Sequence, residues 1–161
     1  MKILKKWIII FSVLILCFLG FVVGAYLEAL QPKNEAANKA FETAKVEADM
    51  KTMDEFYLYH GIESYSVVLG STSDGEQKIV WIPDNNKGKI VVKNAANGKT
   101  KEDILSMVKQ KINSEKIVSV KLGMENNVPL WEVVYRNNSG KYNYDYYDFK
   151  TGEWLKYYRS I

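Results

Sequence analysis

The chain has one cysteine, one histidine and three prolines in 161 residues, and each scarcity excludes a class of chemistry. The lone cysteine, Cys17, sits inside an uncharged apolar run. The rest of the chain therefore has no disulfide, no reactive thiol and no thiolate ligand for a metal. With His60 as the sole imidazole, metal sites built on two or three histidines are excluded. His60 falls in Tyr59-His60-Gly61, where a role at a strand end or turn is expected rather than one as a general base. Ser71 and Ser139 stand in turn-like sequence, where serine serves local hydrogen bonding, and no Gly-x-Ser-x-Gly element is present. Glycine-rich phosphate loops and calcium loops are missing too. Asp145 and Asp148 have opposite strand parity, which argues against a carboxylate pair for glycoside hydrolysis. The expectation is a non-enzymatic chain with no catalytic, cofactor or metal residues.

Charge of one sign is also lacking once the N-terminus is set aside. The whole chain is +3, from 22 basic and 19 acidic residues. Lys2, Lys5 and Lys6 precede the apolar run, so residues 28–161 carry 19 of each and are neutral. A neutral domain offers no basic footprint for nucleic acid, and none is expected as a partner.

What is present begins with WIIIFSVLILCFLGFVVGAYL, residues 7–27, without a charge. As a helix this run spans about 31 Å, enough for a hydrocarbon core of ~30 Å. A cleavable signal peptide has a shorter apolar region, and the bulky Leu16 before Cys17 does not fit a lipoprotein signal. The three lysines place residues 1–6 in the cytoplasm and the rest outside a plasma membrane, with 7–27 as a single-pass signal anchor. Pro32 is expected to end that helix, leaving residues 28–33 as a short stalk.

From Asn34, a plausible N-cap, Ala37, Phe41, Ala44 and Ala48 recur at helical spacing as a narrow apolar stripe. Strand-like runs follow at 55–59, 65–71, 77–82 and 89–93, with turns at Asp74-Gly75 and at residues 85–88. A second helix is announced by Thr100-Lys101-Glu102-Asp103, a capping box with aspartate at its third helical position. Its apolar face is Ile104, Leu105, Val108 and Ile112. Strands recur at 117–123, 130–136, 142–149 and 153–158. The outer part thus reads as helix plus four strands, twice, over 34–97 and 98–161. The fold class expected is α+β, each helix packed on an antiparallel sheet, with the halves sharing an interface.

The second half resembles the PepSY pattern. The residues carrying the likeness are "TKEDILSMVKQKI", Pro129-Leu130-Trp131-Glu132-Val133-Val134-Tyr135, and the hairpin Asp148-Phe149-Lys150-Thr151-Gly152-Glu153-Trp154-Leu155. In the first half, "FYLYHGIESYSVVLGSTSDGEQKIVWIPD" resembles YpmB/TseB-like proteins of Gram-positive bacteria. That resemblance covers essentially the whole chain. It implies a membrane anchor followed by two cystatin/PepSY-like modules, and regulation of cell-wall (peptidoglycan) elongation through a penicillin-binding transpeptidase or another cell-wall synthase. The alternative it leaves open is a ligand-binding or protease-inhibitory module of the cell envelope.

The last hairpin, "YNYDYYDFKTGEWLKYYR", is dense in rings. Strand parity places Tyr142, Tyr144 and Tyr146 on one face, and Trp154, Lys156 and Tyr158 together on one face across the turn. Trp131, Val133, Tyr135 and Leu155 are expected against the helix or the first module. Because rings occupy both faces and a helix covers one, some remain exposed. Tyr142, Tyr144, Tyr146, Trp154, Lys156 and Tyr158 are the candidate partner-binding residues, with inter-module packing and glycan contact as the other readings.

Overall fold

A computed structural model describes residues 2–85, 88–112 and 116–159 of the chain. The expected turn at 85–88 includes Asn86 and Lys87, which lie outside the described residues. The chain divides into two compact units, residues 1–38 and 39–161. The first is helical. Helix α1 runs Lys2–Ala48 and contains Pro32 in its interior, so the expected break there, and the N-cap at Asn34, are corrected. Proline removes one hydrogen bond, to the carbonyl four residues earlier, and costs roughly 3 kcal/mol in a helix interior. That carbonyl belongs to Glu28, an exposed residue that water can solvate, and helix on both sides carries the chain through. Phe11, Leu14, Phe18 and Phe21 are exposed along this helix, which is long and apolar enough to cross a membrane.

The second unit contains two four-stranded antiparallel sheets, one ordered β1-β2-β3-β4 and the other β5-β6-β7-β8. The strands of the first are β1 Met50–His60, β2 Ser64–Thr72, β3 Gln77–Pro83 and β4 Val91–Asn94. A single 3-10 turn at Ala95–Asn97 leads to α2, Lys101–Lys111. The second sheet comprises β5 Lys116–Glu125, β6 Val128–Arg136, β7 Tyr142–Asp148 and β8 Trp154–Arg159. The α+β class expected from the sequence is what the chain forms.

Local chemistry explains the joints. Thr100 Oγ1 accepts from Asp103 N at 3.1 Å, and Asp103 Oδ2 accepts from Thr100 N at 3.0 Å, completing the capping box that starts α2. Asp49 leaves α1 with φ 52°, a left-handed conformation that aspartate tolerates, and the chain turns directly into β1. Asn126 and Asn127, with φ of 49° and 62°, form a two-residue turn with both central residues left-handed. That geometry matches strand twist, and it extends β5 and β6 toward each other beyond the expected ends at 123 and 130.

Alternation along β2 gives the first sheet two buried faces. Met50, Val68 and Val80 pack with Ala40, Ala44 and Ala48 of α1, bordered by Phe41, Met53, Phe56, Ile82 and Ile90. The small alanines let the helix lie close to the strands. Tyr65, Val67, Ile79 and Trp81 point the other way, into a core shared with Ile104 and Val108 of α2 and Val120, Leu122, Trp131 and Val133 of the second sheet. The two halves therefore share one core, as the paucity of large apolar residues in either half requires.

Edge strands β1 and β5 approach each other at this junction. Trp81 is fully buried, and its indole N–H donates to the Gly123 carbonyl at 2.9 Å. Its ring meets Phe149 edge to face at 5.5 Å. Gly123 has no spare room, since a Cβ there would lie 2.4 Å from the Tyr59 ring. Gly123→Ala should therefore lower stability by roughly 1–3 kcal/mol through overpacking. Thermal melts of the detergent-solubilised chain will test this, and an unchanged Tm would mean that Tyr59 moves aside freely.

Candidate functional site

The β7–β8 hairpin is built by Asp148. Its Oδ1 accepts from Lys150 N at 2.9 Å, Thr151 N at 2.8 Å and Thr151 Oγ1 at 3.1 Å. Gly152 supplies the left-handed residue, φ 74°, and its N–H donates to the Asp148 carbonyl at 2.9 Å. Asp148 is thus a turn-forming residue. Asp145, on the opposite strand face, accepts from Tyr135 Oη at 3.2 Å and pairs with Arg159.

Beyond the turn the register slips. Tyr147 pairs with Trp154 and Tyr146 with Lys156, so Leu155 is an extra residue. This bulge reverses the facing of everything before it. Tyr142, Tyr144, Tyr146, Lys156 and Tyr158 share one face, but Trp154, expected beside Lys156 and Tyr158, does not join them. It lies on the other face with Tyr157, the two rings stacked at 5.4 Å with 21° between planes. Leu155, expected against the helix, is exposed at the bulge instead.

The first face is largely folded inward. Tyr146 is buried, meets Tyr158 edge to face at 5.7 Å, and donates from Oη to Glu132 Oε2 at 3.0 Å. The Lys156 ammonium sits 4.7 Å from the Tyr146 centroid and 5.1 Å from that of Tyr158. It is paired with buried Glu125, whose Oε1 also accepts from Tyr59 Oη at 2.7 Å. Tyr142 and Tyr144 are half-buried, and the Arg136 guanidinium covers the Tyr142 ring at 4.4 Å. Tyr158, 54% exposed, is the main ring this face offers to solvent.

On the second face the β7 residues Asn143, Asp145 and Tyr147 are buried, and only its β8 part is open. Trp154 and Tyr157 are 47% and 50% exposed, and the Arg159 guanidinium extends their stack, 4.3 Å from the Tyr157 centroid. Tyr157 and Arg159 escaped the sequence reading because the bulge that groups them with Trp154 has no glycine to signal it. The surface is therefore the rim of edge strand β8, with Trp154, Tyr157 and Arg159 on one side and Tyr158 on the other. His60, at the end of β1, has its Nδ1 3.1 Å from Ser64 Oγ across the β1–β2 turn.

Two carboxylates behind this rim behave oppositely. Burial raises Glu132 above the usual carboxylate range, although Tyr146 and Lys121 act against the shift. Burial also acts to raise Glu125, but hydrogen bonds from Lys156 and Tyr59 outweigh it and hold the carboxyl low. Burial and the bond to Glu132 push the Tyr146 hydroxyl up, so it stays a donor. A raised folded pKa gives stability that is full below the unfolded value and lost as pH rises through the folded one. A lowered pKa gives stability present above the unfolded value and lost as pH falls. Glu132→Gln should accordingly raise the Tm at pH 7, the gain shrinking toward pH 4, whereas Glu125→Gln should lower it at pH 7. Melts of both variants across that range will decide, and a lower Tm for Glu132→Gln at pH 7 would contradict the assignment.

Residues 39–83 match the family model described as cell wall elongation regulator TseB-like domain, and residues 98–158 match PepSY, the peptidase propeptide and YPEB domain. The chain is 34% identical over 148 residues to the probable cell wall elongation regulator TseB of Bacillus subtilis (strain 168), covering 92% of each. Among solved structures, the YpmB protein from Bacillus subtilis superposes with a TM-score of 0.68 at 36% identity, over 76% of this chain and 95% of that one. With two family models in tandem and a relative matched along nearly its whole length, the chain belongs to the TseB-like family of cell wall elongation regulators.

Proposed function

We propose that this protein is a non-catalytic, membrane-anchored regulator that binds a penicillin-binding transpeptidase outside the membrane and so modulates peptidoglycan elongation. The observation that carries the reading is the match, over 92% of the chain, to a probable elongation regulator. In this reading residues 1–6 are a cytoplasmic tail, 7–27 the anchor and 28–33 a helical connector. Residues 34–97 and 98–161 are the two modules. Lys2, Lys5 and Lys6 favour the cytoplasmic side for the N-terminus.

The rim of β8 is the surface best suited to the partner. It is the free edge of its sheet, and its exposed Trp154, Tyr157 and Tyr158 are of the types that dominate interface energetics. Protein partners and β-strand addition both use such an edge. A photocrosslinking residue in place of Tyr158, and separately of Trp154, should trap a transpeptidase in growing cells. Trp154→Ala/Tyr157→Ala should weaken the crosslink from position 158 severalfold while leaving the Tm within a few degrees, because both side chains are half-exposed. If neither position captures any cell-wall synthase while the protein remains in the membrane, the proposal fails.

One observation favours a second reading. The family model over residues 98–158 is described by peptidase propeptides, which fits an inhibitory module acting on an extracellular protease. Inhibition of proteases by the purified chain, in the absence of any synthase, distinguishes it.

A further inference from the structure

The outer strands of the two sheets are not equally closed to another chain. β1 and β5 approach each other at the junction. β4 is four residues long, and a very short edge is one way in which proteins discourage pairing with another chain. β8 has neither protection. Five of its six residues are exposed and Lys156 is half-buried, so the rest of the chain covers neither face. The strand contains no proline, and after the bulge at Leu155 residues 156–159 pair with β7 in regular register. Charged side chains can also guard an edge, but both cations here are engaged, Lys156 by Glu125 and Arg159 by Asp145.

The backbone fixes which groups this edge presents. Where β7 runs into the hairpin, Phe149 N–H donates to the Pro129 carbonyl of β6 at 3.0 Å. Asp148 N–H donates the other way, to the Glu153 carbonyl at 2.8 Å. Direction alternates along an antiparallel strand, so even-numbered residues of β7 turn their N–H and C=O groups to β8 and odd-numbered ones to β6. β6 and β7 pair without a register shift, and the alternation holds through Asn143. Tyr146 with Lys156 and Tyr144 with Tyr158 are therefore the hydrogen-bonded pairs of the last ladder. Tyr157 and Arg159, opposite Asp145 and Asn143, turn their N–H and C=O groups outward. Their side chains lie on the face that carries Trp154.

We propose that an extended, uncharged segment of the transpeptidase adds to this edge as a further strand of the second sheet, bonding the outward backbone groups of Tyr157 and Arg159. The inference rests on the transpeptidase reading and supplies its mode of binding. An open row of alternating donors and acceptors is answered by another extended backbone. A residue paired opposite Tyr157 stands on the Trp154 side of the sheet, where an apolar side chain covers the stacked rings. A charged side chain there finds no counter-ion, since Arg159 is already held by Asp145, and burying a charge unpaired is costly.

Proline tests backbone pairing one residue at a time, because it removes the N–H. Tyr157→Pro removes an outward N–H, and the detergent-solubilised chain should melt within a few degrees of Tyr157→Ala. Tyr158→Pro breaks the ladder to Tyr144 and should melt well below Tyr158→Ala. In growing cells, with the photocrosslinking residue at position 158, Tyr157→Pro should reduce capture of the transpeptidase at least about fivefold beyond Tyr157→Ala, because the partner's carbonyl is left unpaired. Equal capture by the Pro and Ala variants at position 157 overturns strand addition and leaves the transpeptidase reading standing. Equal melting losses for Tyr157→Pro and Tyr158→Pro overturn it as well, since the N–H of Tyr157 would then point inward. Capture of a second copy of the chain in place of the transpeptidase assigns the edge to self-association and overturns it too. Capture of no synthase removes the inference together with the reading on which it rests.

Discussion

The contact between Trp81, Gly123 and Tyr59 is the constraint on which the folded unit depends. A fully buried indole has one polar group, and an unmade hydrogen bond there would cost about 1–3 kcal/mol. Trp81 satisfies it with a carbonyl of β5, an edge strand whose backbone is not paired on both sides. That bond brings one sheet against the other only if the strand can come close, and close approach requires that residue 123 have no side chain. The ring of Tyr59 occupies the space so created. Its hydroxyl, carried along β5, reaches Glu125 at the end of that strand. One glycine thus permits an aromatic contact, a tryptophan hydrogen bond and a tyrosine–carboxylate bond together.

Through Glu125 the junction extends to the far edge of the second sheet. Glu125 holds Lys156 of β8, and Lys156 lies between the rings of Tyr146 and Tyr158. The side chains that place β8 are consequently those that join the two sheets. Desolvation works against every charge in this chain of contacts, and the hydrogen bonds of Tyr59 and Lys156 keep Glu125 ionised nonetheless. Glu132, which has one tyrosine donor and no ammonium directly bound, feels burial as the dominant effect. Two glutamates of the same sheet are driven in opposite directions by the number of donors each receives.

Much of this was legible from residue order. Thr100 and Asp103 announce the start of α2, Thr151-Gly152 the last hairpin, and the alternation of Trp131, Val133 and Tyr135 the buried face of β6. These are local signals, and the structure depends on them locally. What escaped is where a non-local contact or a backbone irregularity decides. Pro32 reads as a helix end, but helical neighbours on both sides outweigh one lost hydrogen bond. Gly123 reads as an ordinary strand glycine, because the ring that demands it is 64 residues earlier in sequence. Leu155 reads as one more alternating residue, and only the pairing of Tyr147 with Trp154 exposes the bulge. A slip of one residue exchanges the faces of a strand, so Trp154 lies on the side opposite to Lys156 and Tyr158, with which simple alternation groups it.

That exchange alters the chemistry a partner would meet. With Trp154 beside Lys156, β8 would offer a ring next to an available cation, suited to an acidic epitope. Instead Lys156 is engaged by Glu125 and Arg159 by Asp145, so neither cation of β8 is free. Trp154 and Tyr157 form a stacked, half-exposed pair, with Arg159 contributing the flat face of its guanidinium. Recognition along this edge would accordingly draw on ring burial and on backbone pairing at a free strand edge, and salt would affect it little.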